Sequence, residues 1–269
     1  KSLYDNKSAN GIHANKVSFA RPYWAAQYHL LDHEYQLVRY LEREGFDATY
    51  ATDVDIHRNP GQITNHRLLM FAGHGEYWTR TMRDAADAAR DAGVSIANMG
   101  ANTAYWQVRY EDGEHTVVGY KNAAADPATD PADKTILFRD LGRPECRLLG
   151  VQYDDSWAID STVRNYSVVA AGASHPWFQG TGYTAGATTT GGTVGYEWDL
   201  ITPGCAHPPI TSLFHWAGSG GLPSADAVMY TAPSGARVFS AGSNQVAWGL
   251  DGWRDGYTQT ADTRLQAFM

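Results

Sequence analysis

An apolar run that ends in a glycine-flanked histidine and glutamate constrains the fold of this chain more than any other stretch. Residues 68–71 have the length and composition of a buried strand. His74 and Glu76 follow this run, and a helix is predicted from about residue 79 to residue 92. A strand-to-helix turn in an open α/β sheet lies at the carboxyl end of the strand, where ligands bind. The sequence therefore predicts a functional site on this turn.

Strand and helix signals alternate through the N-terminal part of the chain. The alternation predicts a parallel sheet with helices on both faces, which is a three-layer, flavodoxin-like α/β arrangement. His74 and Asn102 each follow a predicted strand, so we expect both side chains at the same edge of the sheet. Tyr35, near the start of a predicted helix, should lie at that edge too. The predicted strands cover residues 16–19, 47–51, 67–71 and 94–98, and the predicted helices cover residues 33–44 and 79–92.

The second half of the chain has a weaker pattern, with Gly- and Thr-rich stretches between short strand signals. A hairpin is predicted at residues 227–240. We therefore predict a single α/β domain over residues 1–269. Its core covers about residues 16–120 and 225–255, and an irregular, β-rich insertion covers about residues 121–224.

The charge and hydropathy of the chain exclude two classes of partner. The net charge is −8, and the chain has no basic cluster of the kind that binds nucleic-acid phosphates. No apolar stretch approaches the length of a membrane span. We expect a small-molecule substrate instead. Residue 1 is Lys rather than Met, which we interpret as a processed chain or a fragment. A homo-oligomer, or an additional N-terminal domain or subunit, is compatible with this interpretation.

The two cysteines, Cys146 and Cys205, leave the cellular compartment open. They would form one disulfide in an exported protein, whereas two free thiols fit a cytoplasmic protein equally well. Their spacing is not that of a structural zinc site. Neither cysteine follows a predicted strand as a nucleophilic thiol would, and the chain has no Gly-x-Ser-x-Gly elbow. Cysteine and serine hydrolase chemistry is therefore not predicted.

Several short segments together resemble the C-terminal catalytic domain of the N,N-dimethylformamidase large subunit, a domain that a wider set of bacterial proteins shares. The resemblance extends over about residues 16–252. It implies a fold like that of class I glutamine amidotransferases, and a hydrolase that cleaves a C–N bond. The segments are residues 53–57, 73–78, 100–109, 149–153 and 242–251.

The resemblance also implies a metal ion, because dimethylformamidase holds one iron through two tyrosines and a glutamate and hydrolyses its amide with metal-activated water. Glu76 matches the glutamate ligand through the His-x-Glu motif. We place the two tyrosines at Tyr23 and Tyr35, since both precede the glutamate. Phenolate and carboxylate oxygens are hard anionic donors that suit Fe3+. We therefore expect one Fe3+ in each chain.

Three further residues match catalytic positions of the family. His74 corresponds to a catalytic histidine, Asn102 to an asparagine beside it, and Glu197 to a further active-site glutamate. A histidine in this position can move a proton between water and the leaving group. The asparagine amide can donate a hydrogen bond to the oxyanion that develops as the carbonyl is attacked.

The sequence is also compatible with two other classes of function, a glycoside-cleaving enzyme and a carbohydrate-binding module. Glu76 with either Glu197 or Asp155 would form a carboxylate pair for glycoside cleavage. The chain has 9 Trp and 16 Tyr, and these rings could instead serve a carbohydrate-binding module without catalysis. His74 and Glu76 would then be a structural pair within a loop. Substitution of Glu76 separates a metal-dependent hydrolase from a binding module, because only a metal site would lose its ion. The distance between Glu76 and a second carboxylate tests the glycoside-cleaving alternative.

Overall fold

The computed structural model describes residues 2–21, 30–154, 160–254 and 257–269. In chain order the α-helices of the described residues are α1 (Tyr35–Glu44), α2 (Asp53–Arg58), α3 (Arg80–Asp91), α4 (Cys146–Leu149) and α5 (Thr263–Phe268). A π-helical turn, Leu30–Glu34, precedes α1, and short 3-10 helices cover Asp5–Lys7, Ala9–Gly11, Pro60–Asn65, Pro131–Asp133, Pro176–Phe178 and Val246–Gly249. The strands are β1 (Lys16–Ser18), β2 (Leu68–Ala72), β3 (Tyr77–Thr79), β4 (Ser95–Met99), β5 (Trp106–Glu111), β6 (Thr116–Val118), β7 (Gln152–Tyr153), β8 (Asp160–Arg164), β9 (Ser167–Val168), β10 (Val194–Tyr196), β11 (Asp199–Leu200), β12 (Thr211–Trp216), β13 (Ala225–Thr231), β14 (Arg237–Ser240), β15 (Trp253–Arg254) and β16 (Tyr257–Thr258).

The largest sheet is mixed and has the strand order β2-β4-β14-β13-β12-β9. Strand β4 pairs in parallel with β2 on one side and with β14 on the other. The remaining pairs of this sheet are antiparallel. The hairpin predicted near the end of the chain is present as β13 and β14.

A second sheet has the order β1-β6-β5-β3. Strand β6 pairs antiparallel with both β1 and β5, and β3 pairs in parallel with β5. Strands β2 and β3 are consecutive along the chain but belong to different sheets. The segment between them, which contains His74 and Glu76, therefore joins the two sheets.

The predicted flavodoxin-like, amidotransferase-like three-layer fold with a parallel sheet is wrong. The chain is β-rich with mixed sheets and short helices. Residues 47–51 form no strand, and the strand predicted at residues 16–19 belongs to the second sheet. The prediction failed because local periodicity identifies a strand but not the neighbour with which it pairs. Here the C-terminal hairpin, and not another βα unit, pairs beside β4.

Both faces of the largest sheet are buried. Neighbouring residues along each central strand point to opposite faces, and each face packs against other parts of the chain. One face packs under α3, and the other packs under α1. The first cluster includes Ile96, Val228 and Val238 with Met82 and Ala86 of α3, and the second includes Ala97, Met229 and Phe239 with Leu37 and Tyr40 of α1.

The two cysteines are joined by a disulfide. Cys146, at the first residue of α4, is bonded to Cys205, 59 residues later in the chain. The sequence left open a disulfide or two free thiols, and the structure contains the disulfide. Within the described residues, no helix combines the length and the apolar character needed to span a membrane.

Candidate active site

The sequence predicted that the turn after β2 leads directly into a helix, and this prediction is wrong. Strand β3 lies between the turn and α3. The hydroxyl of Thr79, the last residue of β3, accepts a hydrogen bond from the backbone N–H of Met82 and caps α3. The cap explains where the helix begins. His74 and Glu76 consequently occupy a strand-to-strand turn rather than a strand-to-helix turn.

The turns that follow β2 and β4 pack backbone against backbone. The parallel register pairs Ala72 with Met99, so Gly73 and Gly100 lie side by side. A Cβ on Gly100 would lie only 1.6 Å from the carbonyl oxygen of Gly73. The N–H of Ala104 also donates to the carbonyl of Gly75 at 2.8 Å. Glycine at residue 100 therefore permits the contact between the two turns.

We expect Gly100→Ala to lower the free energy of unfolding by about 1–3 kcal/mol or more, because the added methyl group must displace the backbone at Gly73. Urea denaturation of the purified protein measures the effect. Gly61→Ala is a matched control, since a Cβ at Gly61 meets no atom within 4 Å. An equal change in both variants would show that the two turns are not in close contact.

His74 is the centre of a buried polar cluster. Its Nε2 atom donates to Oε2 of Glu197 at 2.7 Å and lies 3.7 Å from Oε2 of Glu76. Asn102 Nδ2 donates to the same Glu197 oxygen at 3.0 Å and lies 3.2 Å from His74 Nε2. Glu197 lies between β10 and β11, so three separate chain segments converge on the histidine.

The backbone around this cluster is held in an unusual conformation. Asn102 has a φ of +52°, and its N–H donates to the Oδ1 atom of Asp199 at 2.8 Å. Tyr196, immediately before Glu197, has a φ of +61°. Left-handed conformations of residues other than glycine cost about 1–3 kcal/mol and occur most often at functional sites. Among the described residues, the buried Oδ1 atom of Asn102 has no hydrogen-bond partner, which leaves an acceptor at the site.

The electrostatic environment of the cluster is acidic. Burial by itself lowers the pKa of His74, but the nearby carboxylates, Glu197 first, raise it above its ordinary value. Burial raises the pKa of Glu76, against the opposing effects of His74, Tyr4 and Lys121. The histidine is therefore favoured in its protonated form when its neighbours are ionised.

Two phenols and a lysine surround the carboxylate of Glu76. The side chain of Tyr4 is 39% exposed, yet its hydroxyl reaches inward and donates to Oε2 of Glu76. Lys121 Nζ donates to the hydroxyl of Tyr77 at 2.7 Å. The same ammonium lies 4.7 Å from the ring centre of Tyr4 and 4.9 Å from that of Trp106, which is cation–π distance. Burial beside Glu76 raises the pKa of both phenols.

The structure brings four of the predicted site residues into one cluster, namely His74, Glu76, Asn102 and Glu197. Tyr35 lies elsewhere. Its ring packs edge-to-face on Trp253 at 4.8 Å and under the guanidinium of Arg39, and no described contact joins it to Glu76.

Two other predicted residues, Tyr23 and Asp155, lie outside the described residues. Among the residues that are described, no group of three or more His, Cys, Asp or Glu side chains has the arrangement of a metal site.

The sequence did not point to four residues of the site: Tyr4, Tyr77, Lys121 and Asp199. Tyr4 lies in a polar N-terminal stretch without periodicity, and Lys121 follows a strand of the second sheet, so neither carries a motif that marks it. Tyr77 did have a signal, since it directly follows Glu76 of the His-x-Glu motif.

A pocket of about 310 Å3 opens above His74 and Glu76. A larger cavity, of about 700 Å3, lies beside α3 and contains none of the residues of the cluster. Its lining is dominated by arginines and aspartates that pair with one another, such as Arg83 with Asp87 and Arg143 with Asp87. The smaller pocket is therefore the one that gives access to the polar cluster.

A comparison with protein-family models matches residues 1–260 to the family described as N,N-dimethylformamidase beta subunit-like, C-terminal. The chain belongs to this family. The resemblance inferred from the motifs is thereby confirmed. A search of curated proteins gives no match. The dimethylformamidase-like family suggests a hydrolase, and its description as a beta subunit-like domain is compatible with an oligomer.

Proposed function

We propose that this chain is an amide hydrolase that uses one iron ion, held at Glu76, together with the cluster around His74. The observation that carries the proposal is the buried triad of His74, Glu197 and Asn102 directly beside Glu76, in a member of the dimethylformamidase-like family. A histidine paired with a carboxylate can transfer protons, and an amide N–H beside it can stabilise an oxyanion; hydrolysis of an amide uses both functions.

The donor groups at Glu76 fit a hard trivalent cation. A carboxylate and the phenol of Tyr4 are already in contact, and a second phenol, Tyr77, lies beside them with its ring 5.8 Å from that of Tyr4. Anionic oxygen donors suit Fe3+, and a bound cation favours the ionised form of each. We therefore assign Tyr4 as one tyrosine ligand in place of Tyr35. Tyr77 and Tyr23 are the two candidates for the second.

Each residue of the cluster has a part in the proposed reaction. The bound ion would supply a Lewis acid for the amide carbonyl and for the attacking water. His74 Nε2 and Glu197 Oε2 lie 2.7 Å apart, and the ionised carboxylate lets this pair accept a proton from water and donate one to the leaving nitrogen. The N–H of the Asn102 side chain can stabilise the developing oxyanion. Lys121 holds the Tyr77 phenol in place.

The metal content of purified protein tests the proposal. We expect about one iron per chain after reconstitution, with the visible absorption of a tyrosinate–Fe3+ bond. Glu76→Gln and Tyr4→Phe should lose both the ion and the colour, whereas Tyr35→Phe should keep both. A colourless wild-type protein that takes up no iron would contradict the assignment. Glycoside hydrolysis by that metal-free protein would support the carboxylate-pair alternative.

The second tyrosine is decided by the same measurement. If Tyr77 is a ligand, Tyr77→Phe removes the absorption while Tyr23→Phe leaves it unchanged, and the reverse result assigns Tyr23. In either case the variant that lacks the ligand should hydrolyse dimethylformamide more slowly than wild type, because the ion would be lost or its charge altered.

A further inference from the structure

The pocket above His74 and Glu76 has a polar base and a wall in which a group of apolar residues, the apolar wall, lies beside Ser2, Ser18 and Arg21. The base carries the reactive groups. The wall consists mainly of residues from the N-terminal segment and from strands β1 and β6. The lining residues are Ser2, Leu3, Tyr4, Val17, Ser18, Phe19, Arg21, His74, Glu76, Tyr77 and Val117.

The lining residues differ in exposure. Glu76 and Val17 are buried, at 6% and 7% exposed, whereas Phe19, two residues further along the chain, is 39% exposed. Val17 therefore offers buried apolar surface and Phe19 offers apolar surface that solvent reaches.

The apolar wall is a cross-strand pair. Val17 of β1 and Val117 of β6 lie directly opposite each other in the antiparallel register. Side chains of directly opposed residues on one face of a sheet contact each other. The two valines therefore form one continuous apolar surface next to the reactive groups, and Leu3, which also lines the pocket, lies beside Gly119.

The volume of the pocket exceeds what a small formamide needs. At about 30 Å3 for each water-sized group, the pocket volume corresponds to roughly ten such groups. Dimethylformamide has about half that number of non-hydrogen atoms. A substrate of that size would leave the valine wall in contact with water.

We infer that this site takes an amide with one linear apolar substituent of about five carbons, which lies against Val17, Val117 and Phe19. The inference rests on the proposed hydrolase function. In the reaction, water adds hydroxide to the carbonyl carbon, the C–N bond breaks, and the nitrogen takes the proton. The products are a carboxylic acid and an amine, so no further reactant is needed.

Steady-state kinetics on two series of amides test the inference. One series lengthens the acyl chain of an N,N-dimethylamide from formyl to hexanoyl, and the other lengthens one N-alkyl group of a formamide from methyl to pentyl. In one of the two series we expect kcat/KM to rise with chain length, by about tenfold or more between its shortest and its longest member. The reason is that each buried methylene contributes strongly to discrimination between substrates.

Variants that fill the pocket should reverse this preference. Val17→Trp and Val117→Phe should lower the ratio of kcat/KM for the long amide to kcat/KM for dimethylformamide by about tenfold or more. Lys16→Trp is the matched control, because Lys16 adjoins Val17 but is exposed. Thermal melting of each variant establishes that it is folded, and the two pocket variants give independent tests.

Binding of the long amides, measured by calorimetry, separates this inference from the proposed function. One outcome is that the long amides bind to wild type but not to Val17→Trp, and that no amide is cleaved. This outcome would support the pocket inference and contradict the proposed hydrolase function. Cleavage of dimethylformamide in preference to every longer amide, with no effect of either pocket variant, would overturn the pocket inference and leave the hydrolase standing.

Discussion

Replacing Glu197 with Gln is expected to lower kcat for amide hydrolysis by about 10²–10⁴-fold, which is the usual contribution of a positioned acid–base group. The glutamine keeps the shape of the side chain and a hydrogen-bond acceptor for His74. It removes the negative charge that supports a proton on His74 Nε2 at 2.7 Å. The loss should therefore appear in kcat far more than in KM.

A carboxylate-to-amide change outside the cluster is the control for this experiment. Glu111, at the end of β5, forms an ion pair with Lys16 at the surface, and Glu111→Gln should leave kcat within about twofold of wild type because exposed pairs contribute little. If Glu197→Gln behaved like this control, the glutamate would have no part in proton transfer. Glu197→Asp, which keeps the charge but shortens the side chain, should retain more activity than Glu197→Gln.

Replacing Asp126 with Ala is expected to lower the free energy of unfolding by about 3–5 kcal/mol, because it removes one partner of a buried ion pair. The Asp126 carboxylate is fully buried and accepts from Arg109 at 2.9 and 3.0 Å. It also accepts from the backbone N–H and the hydroxyl of Thr135, at 2.7 and 2.6 Å. The substitution leaves these donors without their acceptor, and denaturation in urea at neutral pH measures the cost.

Asp130→Ala is the control for Asp126→Ala, since Asp130 belongs to the same loop but is exposed. It caps the short helix Pro131–Asp133, so its loss should cost about 1 kcal/mol. A cost for Asp126→Ala no larger than that of Asp130→Ala would contradict the anchoring role of Asp126.

The contribution of Asp126 should also depend on pH. Burial alone raises the pKa of Asp126, but the hydrogen bonds from Arg109, Thr135 and the backbone hold it well below its ordinary value. A carboxyl whose pKa is lower in the folded state stabilises the fold above its unfolded pKa of about 4, and the effect fades as the pH falls towards the folded pKa. The difference in unfolding free energy between wild type and Asp126→Asn should therefore shrink below about pH 4. A difference that stays constant from neutral pH to about pH 3 would show that the carboxylate is not the stabilising form.

Local sequence patterns predicted several elements close to their observed bounds. The helix predicted at residues 79–92 is α3, Arg80–Asp91, and the strands predicted at residues 67–71 and 94–98 are β2 and β4. Each of these carries a period, a cap or a glycine stop within its own few residues. The same patterns placed His74 and Asn102 after neighbouring strands, and the two side chains do meet.

Local patterns could not reveal contacts between distant segments. The composition of residues 122–134 predicts an exposed loop, yet Asp126 within it is buried against Arg109 of β5. Likewise Tyr4 and Lys121 reach Glu76 and Tyr77 across long stretches of chain. A single polar or aromatic residue in irregular structure has no periodicity, so its sequence neighbours say nothing about its spatial partner.

Short-range spacing of residue types was enough to identify the family, the strand that precedes His74 and Glu76, and helix α3. The folded chain was needed to show which strands pair and which phenol contacts Glu76. It also decided that Cys146 is bonded to Cys205. These outcomes depend on burial and hydrogen bonding summed over segments far apart in the chain. The pairing of the C-terminal hairpin beside β4 satisfies the backbone of that strand and buries both faces of the sheet.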